Sequence, residues 1–165
     1  MTGVMTCGQL TTNALAQLLN PYDIQLHWIE HEQTIPGSHF GDPEAGLIFN
    51  KLFARKDTPV HSVLHEACHY ICMDEDRRRH LYTDAGGDYD EENAVCYLSI
   101  LLANNIPGFS SQQMMDDMDN WGYTFRLGSA RRWFEEDAED AHSWLLSFSL
   151  IDQYSVPSGK LRIEK

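Results

Sequence analysis

A chain of 165 residues with 42% hydrophobic content can bury one real core and is too short to expect two domains. Its formal net charge of −13, from 12 Lys and Arg against 25 Asp and Glu, repels phosphate backbones, and no basic stripe interleaved with aromatics offsets it, so direct nucleic-acid binding is excluded as a reading. MTGVMTCGQLTTN lacks a charged-then-apolar leader, no apolar run reaches the roughly 18 residues of a membrane span, and Cys7, Cys68, Cys72 and Cys96 are too sparse for a disulfide scaffold; the expectation is a soluble, cytoplasmic chain off the membrane.

In chain order, a first helix is predicted over 11–19, with Thr11 or Thr12 as cap, Leu15, Leu18 and Leu19 as its apolar stripe and Asn20-Pro21 as its stop. DIQLHWIE alternates with Ile24, Leu26 and Trp28 on one face and reads as a strand; GLIFNKLFA at 46–54 reads as another. Between them, Pro36-Gly37 and Asp42-Pro43 mark turns around a short middle strand at His39-Phe40. Asp57-Thr58-Pro59 starts a helix running to about Met73. The next helix spans Asp90 to Asn104, with Asp90 as cap and Pro107-Gly108 as stop. A helix carrying Met114, Met118 and Trp121 and one from Ser129 to Phe148 complete a single α+β domain over 1–150, leaving 151–165 as a loosely ordered tail.

The chemistry sits in HSVLHEACHYI, residues 61–71, which contains H-E-x-x-H at His65, Glu66 and His69. On a helix the two histidines lie about 40° apart and one turn along, so both imidazoles reach one ion, which is what zinc requires of nitrogen ligands at about 2.0–2.1 Å. Glu66, about 100° from His65, is placed to act on a metal-bound water without ligating. Val60, Val63, Leu64, Ala67, Tyr70 and Ile71 fall opposite the histidines, so the helix is expected to bury one face and turn the other toward a cleft.

A hydrolytic zinc site needs a third protein ligand. The metzincin continuation is excluded, because its Gly and His positions are Cys72 and Glu75. YDEENAVCYLSILL offers Glu91 and Glu92. With Glu91 as origin, Ala94, Val95, Leu98, Leu101 and Leu102 lie within about 80°, so Glu91 is expected on the buried face, where a carboxylate must be paired or bound to metal. Glu91 is therefore the expected ligand, with Glu92, on the side of Cys96 and Ser99, as the alternative. A closed structural site using His61 and Cys72 and a two-histidine, one-carboxylate iron site remain competing metal readings.

With these residues in place the chain resembles the ImmA/IrrE-type zinc metallopeptidases, a gluzincin-like branch of the zincins, over roughly residues 11–107. The family's E-x-x-A-N-x-F-A-x-x-L-L segment lands on Glu91, Ala94, Tyr97, Leu101 and Leu102; the chain departs from it at Val95 and, after Glu66, at Ala67-Cys68. The resemblance implies a zincin-like domain of about three strands, Zn2+ as cofactor, and control of a regulatory protein by cleavage. The expected activity is hydrolysis of a protein or peptide substrate, with His65, His69 and Glu91 on zinc and Glu66 as general base. A substrate strand would add near 46–53, and Tyr97, Tyr123 and His142 are candidate donors to the oxyanion. The opposing expectation is a silent zincin-like protein that acts by binding a partner.

Overall fold

The computed structural model describes residues 3–82 and 86–163, and its helices are α1 (Ala14–Leu19), α2 (Val60–Cys72), α3 (Glu75–Arg79), α4 (Tyr89–Ala103), α5 (Ser111–Trp121), α6 (Ala130–Glu136) and α7 (Glu139–Ser147). Three short strands, β1 (Gln25–Trp28), β2 (Gly46–Ile48) and β3 (Lys51–Ala54), form one sheet in the order β1-β3-β2. β1 runs parallel to β3 and β2 antiparallel to it, with Leu52 opposite both Leu26 and Leu47. The fold is α+β, as expected. Among the described residues no helix is long and apolar enough to cross a membrane.

The strands differ from the sequence reading in membership. Residues 46–54 do not form one strand: Phe49 takes a left-handed φ of 53° and Phe49-Asn50 turns the chain into a β2–β3 hairpin. No strand forms at His39-Phe40; Ser38 instead bridges Gly46 on the outer edge of β2, and Ile48 bridges Tyr82. Gly46 is required there, because a Cβ would lie 1.8 Å from the Pro36 carbonyl oxygen. β3 is central and the β2 edge is already paired by the chain itself, so the place expected to receive a substrate strand is occupied.

α2 is the centre of the domain. Every residue from Val60 to Cys72 except His65 is buried, so the helix does not present one polar face to a cleft as expected; it is packed all round. It lies against α4, α5, β2 and β3, and α4 in turn packs on α5 and α7. The helix predicted over 129–148 is broken into α6 and α7 at Asp137-Ala138, where Asp137 leaves helical geometry (φ −141°) and its carboxylate accepts two 2.7 Å hydrogen bonds from Arg126.

The tail, expected to be loosely ordered, runs back over the domain through residue 163. Ile151 bridges Pro157, the Arg162 amide donates to the Ile71 carbonyl at 3.0 Å, and the Arg162 guanidinium lies 4.0 Å over Phe148.

Candidate metal centre

α2 begins after Pro59, whose fixed φ of −62° precedes the first helical residue, and runs uninterrupted to Cys72 because no glycine or proline interrupts VHSVLHEACHYIC. His65 and His69 are thus one turn apart, and their Nε2 atoms lie 3.1 Å from each other. α4 starts at Tyr89, with Asp88, not Asp90, as its cap: the Asp88 carboxylate accepts the Glu91 amide at 2.9 Å. Glu92 therefore sits in the first turn, facing α2. Its Oε2 is 3.2 Å from His65 Nε2 and its Oε1 is 3.3 Å from His69 Nε2. His65, His69 and Glu92 are the residues the structure brings together as one ligand group.

Glu91, the expected third ligand, is turned elsewhere. It is buried, at 4% exposure, as its helical phase predicts. Its charge is met by arginines: Arg77 Nη1 and Nη2 reach Oε1 and Oε2 at 2.9 and 2.6 Å, and Arg162 Nη1 reaches Oε1 at 3.3 Å. The phase argument correctly required a partner for a buried carboxylate, but that partner is a pair of arginines and not a metal site. On the other side of α4, Cys96 and Ser99 are buried, and Glu92, with a side chain 47% exposed, reaches the two histidines of α2.

The ligand geometry fits a small divalent cation. Ligand atoms of tetrahedral zinc at about 2.05 Å stand about 3.3 Å apart, and the three separations here are 3.1, 3.2 and 3.3 Å. Without a metal the centre holds its charge by sharing protons. Burial acts to depress the His65 imidazole, but contacts with Cys96 and Glu92 outweigh it and hold its pKa well above the ordinary histidine value. Burial acts to raise the Glu92 carboxyl, but the hydrogen bond from His65 and the charges of His65 and His69 hold it below the usual carboxylate range. A cation bound here would take over the protons' role. Cys96, one turn along α4 from Glu92, is a neighbour of His65 that the sequence reading left outside the site; its i, i+4 spacing from Glu92 was the available signal.

Glu66 follows His65 on α2 and is buried to 7% exposure. Its charge, with those of Glu44 and Glu92, acts on Tyr123, whose phenol is pushed well above its ordinary pKa first by burial and then by these neighbours and Cys96. Tyr123 is the one expected oxyanion donor that lies at the centre: its ring stands edge-on to His65 at 5.7 Å and its hydroxyl is 3.2 Å from His61 Nδ1. Tyr97 and His142 pack instead on each other and, through Tyr97, on Phe134 and Trp133. His61, one turn before His65, is wholly buried between Trp121 and Tyr123, and burial followed by the His65 charge pushes its pKa down to about 3. It is a neutral support for Tyr123. Cys72 is at the far end of α2 with its carbonyl toward Arg162, so His61 and Cys72 do not form a site of their own.

Comparison with family models, with characterised proteins and with solved structures finds no match to this chain.

Proposed function

We propose that this chain is a zinc-dependent metallopeptidase of the cytoplasm, hydrolysing a protein or peptide substrate, with His65, His69 and Glu92 as the metal ligands and Glu66 as general base. The reading rests on one observation above all: two histidines one helical turn apart and a carboxylate from a second helix converge at the spacing of a tetrahedral metal's ligands. The resemblance of the H-E-x-x-H helix and the following acidic helix to the ImmA/IrrE-type metallopeptidases points the same way, with the third ligand moved one residue along.

When bound, zinc supplies Lewis acidity and lowers the pKa of a coordinated water toward 7. Glu66 is next to His65 on the same helix and accepts the water proton, then returns it to the leaving amine. Tyr123, kept protonated by burial, donates toward the oxyanion, while His61 holds its hydroxyl in place.

The test is metal content with peptide turnover on the intact chain. Wild type is expected to carry one zinc per chain and to cleave peptide; Glu66→Gln keeps the zinc and loses turnover. Undiminished cleavage by that variant removes Glu66 from its role. A second reading, a zinc protein that binds a partner without cutting it, is favoured by the paired β2 edge and by side-chain exposures of only 12% and 10% at His65 and His69. Stoichiometric zinc with no turnover of any peptide offered selects it.

A further inference from the structure

We infer that Arg162, in the C-terminal tail, is a positioning residue for the metal centre, clamping the end of α2 to the first turn of α4 and so holding Glu92 opposite the histidines. The inference rests on the reading of His65, His69 and Glu92 as metal ligands.

The last carbonyls of a helix have no partners within it and need donors from outside. At the end of α2 these come from two arginines. The Arg162 amide donates to the Ile71 carbonyl at 3.0 Å and its Nη1 to the Cys72 carbonyl at 3.1 Å. Arg78 Nη1 takes the Tyr70 and Met73 carbonyls at 3.0 and 2.6 Å, and its Nη2 donates to the Arg162 carbonyl. The positive charge is also favourable at this end of the helix dipole.

The same Arg162 Nη1 lies 3.3 Å from Glu91 Oε1. One guanidinium thus joins the helix bearing both histidines to the residue next to Glu92. Glu91 and Glu92 project about 100° apart around α4, so a pull on Glu91 toward the tail sets the rotation and height at which Glu92 meets His65 and His69. Arg77 grips both oxygens of the Glu91 carboxylate, Oε1 together with Arg162, but it does so from α3 and these bonds do not reach α2. The guanidinium is itself fixed against the end of α7, 4.0 Å over the Phe148 ring and 5.3 Å over Trp144. Groups that orient a metal ligand from behind affect affinity by about 10–100-fold.

The experiment measures Co2+ binding to the intact chain by competition with a chromophoric chelator, and records the visible spectrum of the bound ion. Arg162→Met keeps apolar bulk over Phe148 without the charge; Arg162→Lys keeps the charge. Arg162→Met is expected to weaken cobalt binding about tenfold and to alter the spectrum, and Arg162→Lys to recover most of both. In a Glu92→Ala background Arg162→Met should change affinity less than about twofold, since the ligand through which it acts is gone. Equal losses in both backgrounds, or no loss in either, overturns the inference. Should Arg162→Met not fold, Arg162→Gln against Arg162→Lys carries the same contrast. A wild-type chain that takes up no cobalt, or one unaffected by Glu92→Ala, overturns the metal reading and the inference together; cobalt held through Glu92 with a silent Arg162→Met overturns the inference alone.

Discussion

Replacing Glu91 and Glu92 one at a time by alanine perturbs neighbouring carboxylates that the structure places in different roles, and the two variants should fail differently. The Glu91 side chain is 5% exposed and shares its charge with Arg162, 12% exposed, and Arg77, 32% exposed. Removing one partner of a buried pair costs about 3–5 kcal/mol; because Arg77 is near enough to the surface to find water, the low end applies, about 3 kcal/mol. In a domain of this size each kcal/mol moves Tm by about 2–4 °C, so metal-free Glu91→Ala should melt about 6–12 °C lower. The Glu92 side chain is 47% exposed, and its loss should cost metal-free stability no more than about 1 kcal/mol. Metal binding reverses the order. If about 10 kcal/mol of zinc binding is divided among three protein ligands, one ligand accounts for about 3 kcal/mol, or about 100-fold in affinity. Glu92→Ala should therefore lose about 100-fold, and Glu91→Ala about tenfold through misplacement of Glu92. Calorimetry in chelator and zinc titration against a competitor read the two effects separately. A Glu91→Ala chain that keeps its Tm but loses zinc, beside a Glu92→Ala chain that keeps zinc, would refute the assignment.

Tyr123→Phe should retain zinc and lower kcat by about 100-fold, the effect of losing one oxyanion donor; unchanged kcat in steady-state assays would return Tyr123 to a packing role. Zinc affinity should rise with pH by about tenfold per unit for each displaced proton: His65, whose metal-free pKa is held above the ordinary histidine value, must give up its proton to bind, so affinity climbs until pH passes that raised pKa and then levels off. A flat profile across neutral pH in competition titrations would contradict the proton-sharing arrangement. Gly46→Ala places a Cβ 1.8 Å from the Pro36 carbonyl oxygen and must force the 36–38 segment off β2; a loss of about 2 kcal/mol or more by chemical denaturation is expected, and a neutral result would mean that segment is not seated on the edge.

Much of the centre was legible in sequence because it is local. The separation of His65 and His69 on one face follows from helix geometry alone, and no interrupting residue in VHSVLHEACHYIC disturbs it. That Glu91 is buried and partnered was also legible, from its phase among apolar residues. The existence of three strands was anticipated, but the β2–β3 turn at Phe49-Asn50 was not, because it uses a left-handed Phe where turn chemistry looks for Gly or Asn. The break between α6 and α7 likewise depends on Arg126 drawing Asp137 out of the helix, a contact across 11 positions.

By itself, then, the sequence determined the paired histidines, the acid Glu66 beside them, the helix that carries them and the burial of an acid on the next helix. Which acid meets the histidines was decided only by tertiary structure. Phase along one helix distinguishes its sides but not what packs on each, and α4 is covered on several: Glu91 turns to arginines brought from α3 and from the tail, 14 and 71 positions away, while Glu92 turns to α2. The partner of a buried charge is chosen by what the fold carries to it, and that information lies in contacts between segments distant in the chain.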